Sequence, residues 1–392
     1  GYVSRVDRGV RNPFGEVNEV NINIMNACLN GDDVDQAVEA FFQEKYPAAA
    51  EEVRALMEKT EPVLKKIIYL KGYYFSELSA FPTLNHCINH FYFEMMRDDY
   101  CLASGEWFIP KQWERGSLAG VLVEKQSAAE EAAELFRQLE ALKERIAPED
   151  YQNLWEKFAN LKLVAQIWLE LSKCFIDYAK YFETGELKYR EALIDTVERL
   201  RARNSEGKAL LGDKFYCTPF DRFNPADKSA QLVENFTEDL IRTLEAEEKQ
   251  VKELQSKNLV DYVVCGGAAE SHALQKEVNF SDTFLADGKP CRIPGSRLGK
   301  EWSLINAHGW FSYLVKVSPG RENTIRILAG SEGESADVKV TVGDEAHEFR
   351  GQPRKEAELV IGYRPKPGEE YVRIRLDKIS ANTPYIHTIE VW

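Results

Sequence analysis

No apolar run in this chain approaches the ~20 residues that a helix needs to cross a bilayer, so no membrane span is expected. Positive charge is in short supply. Fifty Lys and Arg stand against 64 Asp and Glu, a formal balance of −14. Residues 1–258 carry most of the deficit, with 33 basic and 45 acidic side chains, while residues 259–392 carry 17 and 19. Nucleic acid and anionic membranes both call for a basic face, so neither is expected as a partner. Cys-x-x-Cys is missing. The seven cysteines (Cys28, Cys87, Cys101, Cys174, Cys217, Cys265, Cys291) are odd in number and scattered, which suits buried thiols better than a disulfide framework or a zinc site. Gly-x-Ser-x-Gly, the phosphate loop and the dinucleotide fingerprint are absent too, and no cofactor is expected. No period recurs, which argues against a regular solenoid.

What the chain has is a 44% share of hydrophobic residues, enough for a sizeable core in two or three domains. Its pattern changes once, near residue 259. Before that point apolar residues recur at helical spacing, as in Leu154, Phe158, Leu161, Ala165, Trp168, Leu171 and Phe175. The spacing and stop signals predict helices over 17–29, 33–46, 83–98, 117–146, 149–182, 186–203 and 228–256. Two more are predicted between 48 and 74, meeting at Pro62, with 204–227 irregular. After residue 259 the period is two. Strands are predicted over 260–265, 309–317, 324–329, 337–342, 346–349, 357–361, 371–376 and 385–391. The clearest is Gly309-Trp310-Phe311-Ser312-Tyr313-Leu314-Val315-Lys316-Val317, closed by Ser318-Pro319-Gly320 as a turn. Tyr313, Val315 and Val317 share one face; Trp310, Ser312, Leu314 and Lys316 point to the other. The expected fold is an irregular α-helical bundle followed by an antiparallel, jelly-roll-like β-sandwich. The expected division is a strand and linker over 1–16, a helical domain over 17–258 and a sandwich over 259–392.

Candidate sites fall into three groups. His86, His90 and Glu94 lie at i, i+4 and i+8 on one helix face, a spacing that can hold zinc. Cys87 stands where a metalloprotease would have glutamate, so the plainer account is polar residues bonded to neighbouring helices, and no metal is favoured. Tyr73, Trp107 and Trp113 belong to aromatic-rich stretches with adjacent charges, as a sugar-stacking surface would need. Trp310 on the sandwich is a further carbohydrate-binding candidate, or else a structural tryptophan. Paired carboxylates would suit glycoside hydrolysis, but Asp98-Asp99 and Glu51-Glu52 fit solvated helix faces, and Glu16 fits a helix cap.

Three stretches resemble a known family. They are Ala269-Glu270-Ser271-His272-Ala273-Leu274, His308-Gly309-Trp310-Phe311-Ser312-Tyr313 and Asn323-Thr324-Ile325-Arg326-Ile327-Leu328. Residues 260–392 resemble the accessory β-sandwich module of bacterial β-L-arabinofuranosidase-type glycoside hydrolases. Here Val342-Gly343-Asp344 replaces the family's Val-Asp-Gly turn, so a different hairpin is expected. Tyr2-Val3-Ser4-Arg5-Val6-Asp7 and Gly15-Glu16-Val17-Asn18-Glu19-Val20-Asn21 look like the region after the last strand of a (β/α)8-barrel glycosidase, as in α-glucuronidase-like enzymes.

These resemblances imply the C-terminal portion of a bacterial carbohydrate-active enzyme, outside the cytoplasm and at the periplasm or cell surface. Its partners would be a glycan or a catalytic barrel preceding Gly1 in the same natural chain. The portion itself would be non-catalytic. Two alternatives stay open, an intact helical-toroid glycoside hydrolase and a non-enzymatic protein-interaction module.

Overall fold

The structure, a computed structural model, describes residues 19–70, 73–74, 118–184, 186–217, 229–265, 292–297, 300–305, 310–330, 337–350, 355–379 and 385–392. It is a helical region followed by an antiparallel β-sandwich. By contact the chain divides into two compact units. One comprises Gly1–Thr83, Trp107–Ile176 and Leu193–Thr237; the other comprises Leu84–Glu106, Asp177–Ala192 and Glu238–Trp392.

The first unit is mainly helical. Its described elements begin with α1 (Glu19–Asn30), α2 (Val34–Lys45), α3 (Ala50–Glu58) and α4 (Thr60–Ile68). Gly31, at φ +74°, ends α1 in the left-handed region that glycine tolerates. The Asp33 carboxylate then accepts the Gln36 amide at 2.9 Å and starts α2. The break between α3 and α4 falls at Lys59–Thr60 rather than at Pro62, which sits in the first turn of α4. A proline is tolerated there because first-turn amides have no intrahelical acceptor. Past α4 the predicted helix gives way to a short antiparallel ribbon, β1 (Tyr69–Leu70) with β2 (Tyr73–Tyr74).

The predicted helix over 117–146 is α5 (Leu118–Glu140) followed by a 3-10 turn, Lys143–Arg145. Arg145 in that turn donates to the Ala48 carbonyl at 3.0 Å and to Glu52 at 2.7 Å, tying it to the entrance of α3. The long helices are α6 (Pro148–Thr184), α7 (Leu187–Leu211) and α8 (Ser229–Gln255). Phe158, Leu161, Trp168, Leu171 and Phe175 of α6 are all buried, as their spacing requires. Segment 212–217 is pinned onto α6: Asn160 donates to the Lys214 carbonyl at 2.7 Å and accepts from the Tyr216 amide at 3.0 Å. Trp168 Nε1 donates to the Cys217 carbonyl at 2.9 Å.

The second unit holds the sandwich. One sheet has the order β10-β7-β12-β5-β4. Its strands are β4 (Arg292–Arg297), β5 (Lys300–Ile305), β7 (Asn323–Gly330), β10 (Glu356–Tyr363) and β12 (Tyr385–Val391). A sixth strand, β3 (Asp261–Val264), pairs with the C-terminal half of β12, beyond the two residues that pair with β5. The other sheet has the order β6-β11-β8-β9, from β6 (Trp310–Lys316), β11 (Tyr371–Lys378), β8 (Asp337–Val342) and β9 (Glu345–Arg350). Alternate residues of both sheets, among them Val263, Tyr313, Val315, Ile325, Ile327, Val340, Ile374 and Ile389, form one core.

Strand β3 is buried on both faces because α8 covers its outer side. Val251 and Leu254 of α8 pack with Leu259, Tyr262 and Val264. Buried Asp261 links the sheets at one edge, its carboxylate accepting the Tyr262 amide at 2.8 Å and the Lys316 amide at 2.7 Å. The β8–β9 hairpin has a two-residue loop, Gly343-Asp344, with Gly343 at φ +58°. Glycine first in such a loop is the arrangement of a type II′ turn, which accounts for the reversed order relative to Val-Asp-Gly. Among the described cysteines, Cys174, Cys217 and Cys265 are buried and in no disulfide, and Cys28 is exposed, contrary to expectation. No helix among the described residues is long and apolar enough to cross a membrane.

Candidate functional site

Among the described residues, a cluster of candidate binding groups lies on the outer face of the four-stranded sheet. It follows from two alternating strands. In β6, Tyr313 and Val315 enter the core, which turns Trp310, Ser312, Leu314 and Lys316 outward. In β11, Val372, Ile374 and Leu376 enter the core, which turns Tyr371, Arg373, Arg375 and Asp377 outward. The antiparallel register sets Trp310 opposite Asp377, Ser312 opposite Arg375, Leu314 opposite Arg373 and Lys316 opposite Tyr371. Strand β8 adds Lys339 opposite Asp377 and Thr341 opposite Arg375. Strand β9 adds Glu348 beside Lys339 and Arg350 beside Asp337.

Trp310 is partly exposed and held by its neighbours. The Arg375 guanidinium lies over its ring, 4.2 Å from the centroid. Asp377 grips that guanidinium at two points, 2.9 Å to Nε and 2.6 Å to Nη2. A two-point carboxylate bond fixes the plane of the guanidinium, and through it the tilt of the indole. The same bond stabilises the cation and pushes the Arg375 pKa further up. Beside this group, Arg373 donates to the buried hydroxyl of Ser312 at 3.1 Å. Tyr371, 37% exposed, stands at the other end of β11. The face therefore presents an oriented aromatic ring, a second exposed ring and several hydrogen-bond donors. That set suits a flat, hydroxyl-rich ligand.

No protein-family model matches the chain, and no curated protein matches it. Among solved structures it is similar to a carbohydrate-binding module, CBM36, in complex with calcium and xylotriose. The identity is 14%, over 30% of this chain and 100% of that one, with a TM-score of 0.23. A native family 35 carbohydrate-binding module from Clostridium thermocellum is similar at 12% identity, over 33% and 97%, with a TM-score of 0.24. A family GH115 4-O-methyl-α-glucuronidase with specificity for decorated arabinogalactans is similar at 9% identity, with a TM-score of 0.26. That match covers 93% of this chain but 42% of the enzyme, so the chain spans less than half the enzyme's length. None of these likenesses is close enough to assign the chain to a family.

Of the residues singled out by sequence, Trp310 falls on this face. Tyr73 belongs to β2 of the other unit, paired with Leu70 in the short ribbon. Trp107, Trp113, His86, His90, Glu94 and Glu16 lie outside the described residues. Sequence reasoning missed Tyr371, Arg373, Arg375 and Asp377. Their signal is the strict alternation Tyr371-Val372-Arg373-Ile374-Arg375-Leu376-Asp377, which sends four polar or aromatic residues to one face. Among the described residues, no three His, Cys, Asp or Glu side chains gather where they could hold a metal ion.

Two further groups have displaced proton affinity. Glu247 of α8 is buried, and burial pushes its carboxyl up to about 7. The Tyr181 hydroxyl donates to one of its oxygens at 3.0 Å, while the other, Oε2, has no hydrogen-bond partner among the described residues. In the first unit, Lys125 of α5 is buried against the Lys66 carbonyl and Glu124, and burial pushes its ammonium down to about 8. Both are interior groups.

Proposed function

We propose that the chain is a non-catalytic, glycan-binding portion of a bacterial carbohydrate-active protein that works outside the cytoplasm. The outer face of the four-stranded sheet is its binding surface. The observation that carries this reading is the clamped indole of Trp310, positioned by Arg375 and in turn by Asp377. A ring so oriented can stack on a sugar face, while Arg373 and neighbouring polar groups reach hydroxyls at its rim. The resemblance of residues 260–392 to accessory modules of glycoside hydrolases supports the same reading, as does the partial exposure of Trp310 on a sheet whose other face is fully used by the core.

Replacement of Trp310 by Ala tests it, with binding to immobilised plant polysaccharides and thermal melting as two readouts. Loss of most glycan affinity with an unchanged melting temperature is the expected result. An unchanged affinity, or a stability loss of about 3–5 kcal/mol as for a core aromatic, would instead make Trp310 structural.

A further inference from the structure

We infer that the glycan taken by this face is a polyanion, an acidic polysaccharide bearing carboxylate or sulfate groups. This rests on the reading of the Trp310 face as a glycan surface. The argument comes from where the basic residues stand. The chain carries a formal charge of −14, yet the outward positions of the four-stranded sheet include Lys316, Lys339, Arg350, Arg373 and Arg375 against Asp337, Glu348 and Asp377.

On the six-stranded sheet Arg326 is matched by carboxylates, pairing with Glu358 at 2.7 Å and approaching Glu390 at 3.6 Å. Lys257, in the turn between α8 and β3, also pairs with Glu390, at 2.7 Å. On the four-stranded sheet Arg375 is matched by Asp377. Lys316, Lys339 and Arg350 are exposed and take part in no ion pair among the described residues. Lys339 stands directly opposite Glu348 in the register and still forms no ion pair with it. Unmatched like charges on one sheet face repel and contribute nothing to folding. They are, however, what a polyanionic ligand needs.

Their placement sets a track. Trp310, Asp377, Lys339 and Glu348 form one row across the four strands, with Arg350 in the next row beyond. Lys316 lies at the opposite end of β6, six residues from Trp310, which is about 20 Å of extended strand at ~3.3 Å per residue. A ligand that stacks on Trp310 and also reaches Lys316 is a chain of several sugars, not a single one.

The test titrates the full chain with polygalacturonate, dextran sulfate and neutral dextran, at low and at physiological salt. Single-stranded DNA serves as a polyanion that is not a sugar. The variants are Trp310→Ala and the double charge reversal Lys316→Glu/Lys339→Glu, with Lys339→Gln in reserve should the double variant fold poorly. At least one acidic polysaccharide should bind about tenfold more tightly than dextran, lose that advantage as salt rises, and lose it in the charge variant. Comparing the two acidic probes tells carboxylate from sulfate. Trp310→Ala should weaken every sugar. If neutral and acidic glycans bind alike and the charge variant changes neither, the charge inference fails while the glycan reading stands. If no glycan binds, both fail. If DNA binds as well as the sugars and Trp310→Ala leaves that unchanged, the face is an unspecific polyanion surface and the inference is overturned.

Discussion

Asp377 stands opposite Trp310 across the strand pair, and the set of the indole depends on it. Two hydrogen bonds hold Arg375 flat, and Arg375 holds the Trp310 ring. Asp377→Asn keeps the shape but removes the charge and one of the two acceptors. Arg375 should then sample other rotamers, and glycan affinity should drop about threefold to tenfold with little change in melting temperature, since exposed ion pairs contribute only ~0–1 kcal/mol to stability. Isothermal titration beside a melting curve checks this, and an affinity equal to wild type would remove Asp377 from the site. Asp261 works differently. Its buried carboxylate accepts two amides on two strands, so Asp261→Ala leaves both donors unpaired inside the protein. At ~1–3 kcal/mol for each buried orphan, the variant should lose several kcal/mol in a denaturant titration. A loss under about 1 kcal/mol would mean that water or a neighbouring group replaces the carboxylate.

At the scale of elements, periodicity made most of the chain legible. The strands after residue 300 whose apolar residues alternate were read within a few residues of their ends, and so were α2, α6 and α8. The exceptions have physical causes. Strand β4 went unread because Arg292-Ile293-Pro294-Gly295-Ser296-Arg297 carries both residues that argue against a strand. The six-stranded order ends at β4, and a proline is tolerated at an edge because its missing amide has no ladder partner to lose. The sequence predicts a helix end at Arg203 with an irregular segment from Asn204, but α7 runs to Leu211. Asn204 donates to the Ala230 carbonyl at 2.9 Å, and Gly207 is where the Phe215 ring comes in. A Cβ at Gly207 would stand 2.2 Å from that ring. The glycine serves a close approach, not a helix end, and sequence alone does not distinguish the two. Gly207→Ala should therefore destabilise by about 1–3 kcal/mol through overpacking, although alanine is the better helix former. A gain in melting temperature would show that Phe215 can move aside. The site was legible to the same extent. Trp310 could be placed on an outer face from β6 alone, but its clamp comes from β11, more than sixty residues on, and only the register joins them.

Among the described residues, Glu247 and Lys125 are buried ionisable groups whose shifts oppose each other, and both bear on the stability of the molecule against pH. Glu247 faces Tyr181 of α6 and lies within the field of Arg190 of α7, which is paired with Glu248. Desolvation outweighs both and raises its pKa from 4.5 to about 7. Between those values the folded chain holds a proton that the unfolded chain has released, so stability is full below pH 4.5 and declines as pH rises through about 7. Lys125 faces the Lys66 carbonyl and Glu124, and desolvation lowers its pKa from 10.5 to about 8. From pH 8 to 10.5 the unfolded chain holds the extra proton, so stability recovers as pH rises. The two limbs meet near neutrality, where a charged Glu247 and a charged Lys125 are both buried. Exposed carboxylates with depressed pKa, such as Glu52 beside Arg145 and Asp344 beside Lys366, act at lower pH and do not fill this dip. Melting temperatures taken from about pH 5 to about pH 10 should pass through a minimum around 7 to 8. Glu247→Gln should flatten the acid-side decline and leave the alkaline rise intact. Lys125→Met, which keeps length and loses charge, should do the reverse. A profile that rises from pH 5 to 8, or an acid limb that survives Glu247→Gln, would mean that Glu247 is ionised at little cost in the folded chain. Its unpaired oxygen would then have to be solvated by water reaching between α6 and α8.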